Sequence, residues 1–221
     1  MLQVEGIDVA IGSVSILRGA SLAVARGQFA GLIGRNGAGK TTLIRTVMGL
    51  LEPRRGSVRL DGEALDDVPA HLRSRRGIGY MPEDRRLVPD LTVEENILLP
   101  AWAGRIPDGR VRLERIYRTI PEVQAFKDRK ALQLSGGQQK LVALARALMS
   151  GTRLLLLDEP FEGVAPVLAR RLAEVIRQLK GEGLAAVLCE SDLSHSREML
   201  DVVFTIDRGA VSGPAPGGNP A

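Results

Sequence analysis

Aromatic side chains are scarce in this sequence: Phe, Trp and Tyr together make up 3% of its residues. That leaves little surface on which nucleic-acid bases could stack. There is a single cysteine, Cys189, set in an apolar run. A disulfide framework and a Cys-based zinc site are thereby excluded within the chain, and a reducing compartment fits best. No apolar run approaches the ~20 residues that a membrane-spanning helix needs. Met1 to Glu5 show no basic region and no long apolar core, so no secretory signal is expected. One-sided charge is lacking too: 30 Lys and Arg stand against 26 Asp and Glu, a net charge of +4 with the signs interleaved. Such a balance describes a solvated, slightly basic surface, and no nucleic-acid partner is expected.

What the chain does have is 44% apolar residues over 221 positions, enough for one large domain or a core with a subdomain. It also has a glycine-rich stretch of defined chemistry. Gly34-Arg35-Asn36-Gly37-Ala38-Gly39-Lys40-Thr41-Thr42 fits G-x-x-x-x-G-K-[ST], a phosphate-binding loop. The apolar segment Gln28 to Ile33 precedes it at strand length, and Leu43, Ile44, Val47 and Met48 follow at helical spacing. Strand, loop and helix start together aim several backbone N–H groups, and the positive end of a helix dipole, at one anion. Gly34, Gly37 and Gly39 would let the backbone approach phosphate oxygens where a Cβ would clash. Lys40 would reach the β- and γ-phosphates of ATP, and the Thr41 hydroxyl would ligate Mg²⁺.

Around this loop the chain alternates strands and helices, the pattern of a parallel sheet with crossover helices. Residues 2–33 read as strands, with further strands at 57–60 and 78–81. Residues 84–150 read as helical, with capping boxes at Thr92 and Ser135. Strand texture returns at Leu154–Leu157, Leu184–Cys189 and Val202–Ile206, with helices over 166–180 and 192–200. The expected organisation is an α/β P-loop NTPase. Residues 1–83 and 151–211 form its core, and 84–150 reads as an inserted helical subdomain. The Gly/Pro-rich residues 212–221 are expected to be disordered.

Two further stretches carry chemistry. Leu154 to Leu157 ends in Asp158-Glu159, at the strand end where an open α/β sheet binds ligands. Asp158 would hold Mg²⁺, and Glu159 would orient or deprotonate the attacking water. Leu134-Ser135-Gly136-Gly137-Gln138 is a second glycine-opened helix start, able to hold a second anion. One nucleotide does not need two such sites from one chain, whereas two chains in a two-fold arrangement can lend them to each other.

With these three stretches in this order, residues 1–210 resemble the ATP-binding subunits of ABC transporters. The resemblance implies a RecA-like core with an antiparallel β region near the N-terminus, and ATP-driven closure of a two-ATPase assembly that moves attached integral-membrane permease subunits, on the inner face of the cell membrane. Met81-Pro82-Glu83-Asp84-Arg85-Arg86, Leu91 to Asn96, and Glu159-Pro160-Phe161-Glu162-Gly163-Val164-Ala165-Pro166 resemble the subfamily serving branched-chain amino acid importers. That finer likeness implies a solute-binding protein as an indirect partner and a second ATPase subunit, either a second copy or, as branched-chain importers commonly have, a non-identical one. A soluble ABC ATPase acting on nucleic acid or a protein complex, and a weakly hydrolytic regulator, remain the alternative readings.

Four positions depart from the general ABC pattern. The aromatic that stacks on adenine falls at Ala10-Ile11, so Ile11 would offer only apolar contact to the base. Glu83 stands where a glutamine usually meets Mg²⁺, and a carboxylate can still ligate a hard cation. Ala165 replaces an aspartate. Ser191 occupies the place of a histidine near the γ-phosphate, and a hydroxyl is shorter and cannot become cationic. His195, four residues on, is expected on the helix of 192–200, away from the reaction.

Overall fold

The computed structural model describes residues 1–217. Two sheets organise the chain. The first is antiparallel: β1 (Leu2–Ile11), β2 (Val14–Val24), β4 (Arg55–Leu60) and β5 (Glu63–Ala64), in the order β2-β1-β4-β5. The second, ordered β10-β9-β3-β8-β7-β6, contains β3 (Phe29–Ile33), β6 (Ile78–Met81), β7 (Leu154–Asp158), β8 (Ala185–Glu190), β9 (Val202–Asp207) and β10 (Ala210–Pro216). Strands β3, β6, β7, β8 and β9 pair in parallel, and β10 runs antiparallel at the edge.

The sequence explains this division. Every residue of β7 and β8 is buried, which is why these strands read as continuous apolar runs covered on both faces. Strand β1 instead alternates buried and exposed positions, as a half-covered antiparallel strand does. It runs as one strand through Glu5 and Gly6. Its register slips there, and Gly6 takes φ 59°, so the chain bends without ending the strand.

One face of the six-stranded sheet packs against β1, β2, β4 and helix α1 (Lys40–Val47). The other carries α3 (Val93–Gly104), α4 (Gly109–Thr119), α5 (Pro121–Ala125), α6 (Gly136–Ser150) and α7 (Pro166–Lys180), and α2 (Ala70–Arg73) lies between β5 and β6 in the chain. The helices of 84–150 share one core with Phe29, Leu155 and Leu157 of the sheet. Both expected capping boxes form. Glu95 N–H donates to Thr92 Oγ1 at 3.2 Å, and Gln138 N–H donates to Ser135 Oγ at 3.3 Å.

Two expectations are corrected. The helix expected over 192–200 is absent: the segment turns, with only a 3₁₀ turn at Arg197–Met199. Its small polar side chains take other partners, as Asp, Ser and Thr do outside helices. Asp192 Oδ1 accepts from Ser194 N–H at 2.9 Å, and the Ser196 hydroxyl donates to Glu190 at 2.5 Å. His195 therefore sits on a turn, its ring tilted against Phe161 at 5.6 Å. The second correction concerns the tail. Residues 212–216 extend β10, with Ser212 opposite Thr205 and Pro216 opposite Val202. Prolines are tolerated there because an edge strand leaves one row of N–H positions unpaired. Residues 218–221 lie outside the described residues.

Arg73 stands near Arg75 and Arg76, and residue type alone would put it at the surface. It is 5% exposed and donates to the carbonyls of Thr46 (3.1 Å), Val47 (2.7 Å), Leu65 (2.6 Å) and Val68 (2.8 Å). It thus satisfies the last carbonyls of α1, the helix that starts at the glycine loop.

Candidate functional site

The parallel pairing brings four strand ends to one edge. Ile33 lies opposite Glu190, Met81 opposite Leu157, and Asp158 opposite Cys189. The residues that follow β3, β6, β7 and β8 thus converge: the glycine loop, Glu83, Glu159 and Ser191. All but Ser191 border a cavity of about 390 Å³ lined by Ile16, Asn36, Gly37, Gly39, Lys40, Thr41, Thr42, Glu83, Glu159 and Glu162, and Ser191 adjoins it through its N–H on Glu159. A larger hollow of about 590 Å³ lies between α7 and residues 192–198, and no expected site residue except the neighbours of Ser191 borders it.

The loop's glycines have different reasons. At Gly34 a Cβ would meet the Ile206 carbonyl oxygen at 2.4 Å, so this glycine is required by packing within the protein. Gly39 takes φ 116° and Gly37 φ 81°, backbone that other residues rarely adopt. Open space surrounds the Cβ direction of Gly37, so its role is conformational.

Lys40 is buried at the floor of the loop. Its ammonium donates to the Gly34 carbonyl at 2.5 Å and the Arg35 carbonyl at 3.3 Å, and lies 3.1 Å from Glu159 Oε1. That last contact is an ion pair out of line for a hydrogen bond, and Glu159 Oε1 has no hydrogen-bond donor. Glu159 Oε2 accepts from Ser191 N–H at 3.3 Å. The Glu159 backbone is left-handed, φ 47°, a conformation that costs a non-glycine residue about 1–3 kcal/mol.

Asp158 is fully buried. One oxygen accepts from Thr41 Oγ1 at 3.1 Å, while the other, Oδ2, has no partner. Burial raises its pKa to about 6, with Glu83 and Glu159 raising it further against the lowering effect of the Thr41 hydrogen bond. A buried carboxylate with a vacant oxygen beside a hydroxyl is a donor set suited to Mg²⁺. Among the described residues no three His, Cys, Asp or Glu side chains cluster as a metal cage. A cation here would need phosphate and water oxygens to complete its shell, as Mg²⁺ prefers.

Not every expected residue arrives. Ile11 is 54% exposed at the end of β1 and does not line the cavity; Ile16, four residues beyond the Gly12 turn on β2, does. The alternation of β1 and β2 could have indicated this, since the hairpin carries Ile16 back toward the glycine loop. Ser135 and Gly136 are exposed at the start of α6, and Ser135, Gly136, Gly137 and Gln138 are likewise absent from the cavity lining. Glu162, overlooked in the sequence, lines it.

The family profile described as "ABC transporter" matches residues 17–162. The chain belongs to the ABC transporter family. BraG of Pseudomonas aeruginosa, a high-affinity branched-chain amino acid transport ATP-binding protein, is 34% identical over 96% of this chain and 91% of its own length. LptB of Haemophilus influenzae, a lipopolysaccharide export system ATP-binding protein, is 30% identical over 96% and 88%. The dimeric structure of MJ0796, a bacterial ABC transporter cassette, superposes with a TM-score of 0.86 at 25% identity, covering 98% of both chains. This ABC protein is accordingly an ATP hydrolase with the family's cassette fold. Among its described residues no helix is long and apolar enough to cross a membrane.

A further carboxylate stands behind the site of this ATPase. Glu190 is 2% exposed; its Oε2 accepts from the Ser196 hydroxyl, and its Oε1 has no partner. Burial raises its pKa to about 7, offset by Ser196 and reinforced by the charges of Glu159 and Asp192. The folded protein thus holds this proton more tightly than the unfolded chain, whose value is 4.5. Stability from this group is present below the unfolded value and lost as pH rises through about 7. Thermal melts without nucleotide should therefore show a midpoint that falls between about pH 5 and 8. Glu190→Gln should flatten that fall and melt higher than the parent at about pH 8, by roughly 2–4 °C per kcal/mol recovered. A variant with the parent's full slope would remove Glu190 as its source. Asp158, also raised, keeps the slope from vanishing altogether.

Proposed function

We propose that this chain is the ATP-hydrolysing subunit of an importer for branched-chain amino acids or related small amino acids and amides. It works peripherally on the inner face of the membrane, driving integral-membrane permease subunits that receive solute from a binding protein. The observation that carries the assembly is the divided site. Loop and carboxylates share one cavity, whereas Ser135–Gln138 present a capped, exposed helix start elsewhere on the surface. Two chains facing each other would complete two sites, with residues 84–150 moving as the signature-bearing unit against the core of 1–83 and 151–211.

In this reading the N–H groups of Arg35 to Thr42 cradle the phosphates and Lys40 neutralises the β- and γ-oxygens. Thr41, Asp158 and Glu83 hold Mg²⁺, which when bound supplies charge neutralisation on the phosphates. Glu159 Oε1, buried and without a donor, is the oxygen that accepts the proton of the attacking water. Ser191 offers its hydroxyl toward the γ-phosphate, while its N–H holds Glu159. Ile16 supplies apolar contact for the base, in place of Ile11. The importer assignment rests on the similarity to BraG; the similarity to LptB supports lipopolysaccharide export as the second reading. Co-purification with the membrane subunits, then reconstitution, separates them. Stimulation of ATPase activity by binding protein loaded with an aliphatic amino acid is expected. Stimulation by lipopolysaccharide alone would overturn the importer reading.

The pairing partner is a related, non-identical ATPase. An aliphatic Ile16 in place of an aromatic, and a serine at position 191, weaken adenine and γ-phosphate contacts that a partner with the usual aromatic and histidine would supply at its own site. The isolated chain should hydrolyse ATP slowly, and Ser191→His should raise the rate or leave it unchanged. Steady-state phosphate release checks this. A collapse of rate in Ser191→His, or transport with no second ATPase, would sink the heteromeric pair.

A further inference from the structure

A buried cation lies between the two halves of the divided site. Lys140 is 2% exposed, one turn into α6 from Ser135, and its ammonium donates to the backbone carbonyl of Glu159 at 2.5 Å. Among the described residues it has no carboxylate at ion-pair distance, and burial lowers its pKa. A buried ammonium placed on a neutral carbonyl is a costly arrangement for packing alone.

The acceptor it uses belongs to the residue whose backbone is in the left-handed region. Few groups hold Glu159 there. Its N–H donates to the Cys189 carbonyl at 2.9 Å, and its carbonyl also accepts from Glu162 N–H at 3.2 Å. Pro160 follows and brings no N–H. The direction of the 159–160 peptide is therefore set jointly by Glu162 N–H and by Lys140 of α6, while Ser191 N–H and the Lys40 ammonium meet the Glu159 carboxylate itself. That helix is also tied to the segment after β6. Arg146 donates to the carbonyls of Arg85 and Arg86, and Arg85 donates to Gln139 at 2.9 Å. At its start, Gly137 packs so close to Leu168 of α7 that a Cβ would meet Leu168 Cδ2 at 2.2 Å.

We infer that Lys140 is a positioning residue that couples occupancy of this chain's own Ser135–Gln138 helix start by the facing subunit's ATP to the aim of its own Glu159. The inference rests on the divided-site reading above. A small shift of α6 on binding the facing nucleotide moves the Lys140 ammonium, and the Glu159 peptide follows. Each site then fires efficiently only when the other is filled, which appears as positive cooperativity in ATP.

The test is Lys140→Met in the full chain. It removes the ammonium but keeps most of the length of the side chain, and it also removes the desolvation cost of a buried charge that no carboxylate among the described residues offsets. Glu162 N–H remains on the Glu159 carbonyl, so that oxygen is not orphaned. The variant should bind ATP and pair within about twofold of the parent while its kcat falls at least roughly tenfold and its Hill coefficient drops to about 1. Lys140→Arg, which keeps a cationic donor, should recover part of both. Parent-like kcat and Hill coefficient in Lys140→Met would overturn the proposal, as would a loss of rate that merely tracks loss of pairing or of melting temperature. Should the Met variant not fold, Lys140→Gln under the same readouts decides by the same criteria. A parent that neither pairs nor turns over in Mg·ATP, alone or with the partner ATPase, would overturn the divided-site reading itself, a different result from an indifferent Lys140.

Discussion

Lys40→Ala is expected to lower ATP affinity on the order of 10²-fold or more, measured by calorimetric titration. Hydrogen bonds to charged groups contribute about 1.5–3 kcal/mol each, and a phosphate-cradling ammonium makes more than one. The structure adds a consequence that the sequence motif does not carry. Lys40 is 5% exposed and is the cation beside Glu159, so its removal strands a buried carboxylate. Breaking such a pair typically costs about 3–5 kcal/mol, so the variant should also melt earlier. Lys40→Ala combined with Glu159→Gln separates the two effects. The double variant should regain much of the stability and none of the ATP binding. Unchanged affinity in Lys40→Ala would remove the phosphate-loop assignment.

The loop, its strand and its helix were legible because each rests on short-range chemistry: glycines at fixed offsets, then 3.6-residue periodicity. The buried strands β7 and β8 were legible for a similar reason, since burial on both faces leaves an unbroken apolar run. What could not be read depends on tertiary partners. Ser196 leaves helical structure because its hydroxyl reaches Glu190, a contact that no local pattern announces. Strand β10 has almost no buried side chain, and its order comes from backbone pairing with β9, to which composition is blind.

The site divides along the same line. Thr41 and Asp158 are 117 residues apart, yet the motif order and the strand-end rule for parallel sheets were enough to pair them. The adenine expectation at Ile11 came from a family pattern, whereas the hairpin places Ile16, and not Ile11, on the cavity wall. Arg73 and Lys140 were invisible for a different reason. Lys and Arg are seldom fully buried, so the prior assigns them to the surface. Only the fold reveals that one caps α1 and the other reaches Glu159.

Glu159→Gln should bind Mg·ATP, persist as a pair and lose turnover by about 10²–10⁴-fold, the range of a general base. The amide keeps the shape of the carboxylate and can still accept the Ser191 N–H, so the β8 side of the cavity is undisturbed. What it lacks is a basic oxygen at the position of Oε1, the buried atom that no donor satisfies. The substitution also relieves Lys40 of its one carboxylate contact among the described residues, leaving the ammonium on the Gly34 and Arg35 carbonyls and free to turn to phosphate. ATP affinity should consequently hold or rise while kcat collapses, a split that a general loss of structure would not produce. Single-turnover phosphate release beside equilibrium nucleotide binding measures both halves. A loss below tenfold would pass the role to Glu83 or Glu162, the other carboxylates on the cavity wall. Neither is as well placed for it. Glu83 is exposed, and water around an exposed carboxylate weakens the electrostatic contribution that a buried base makes.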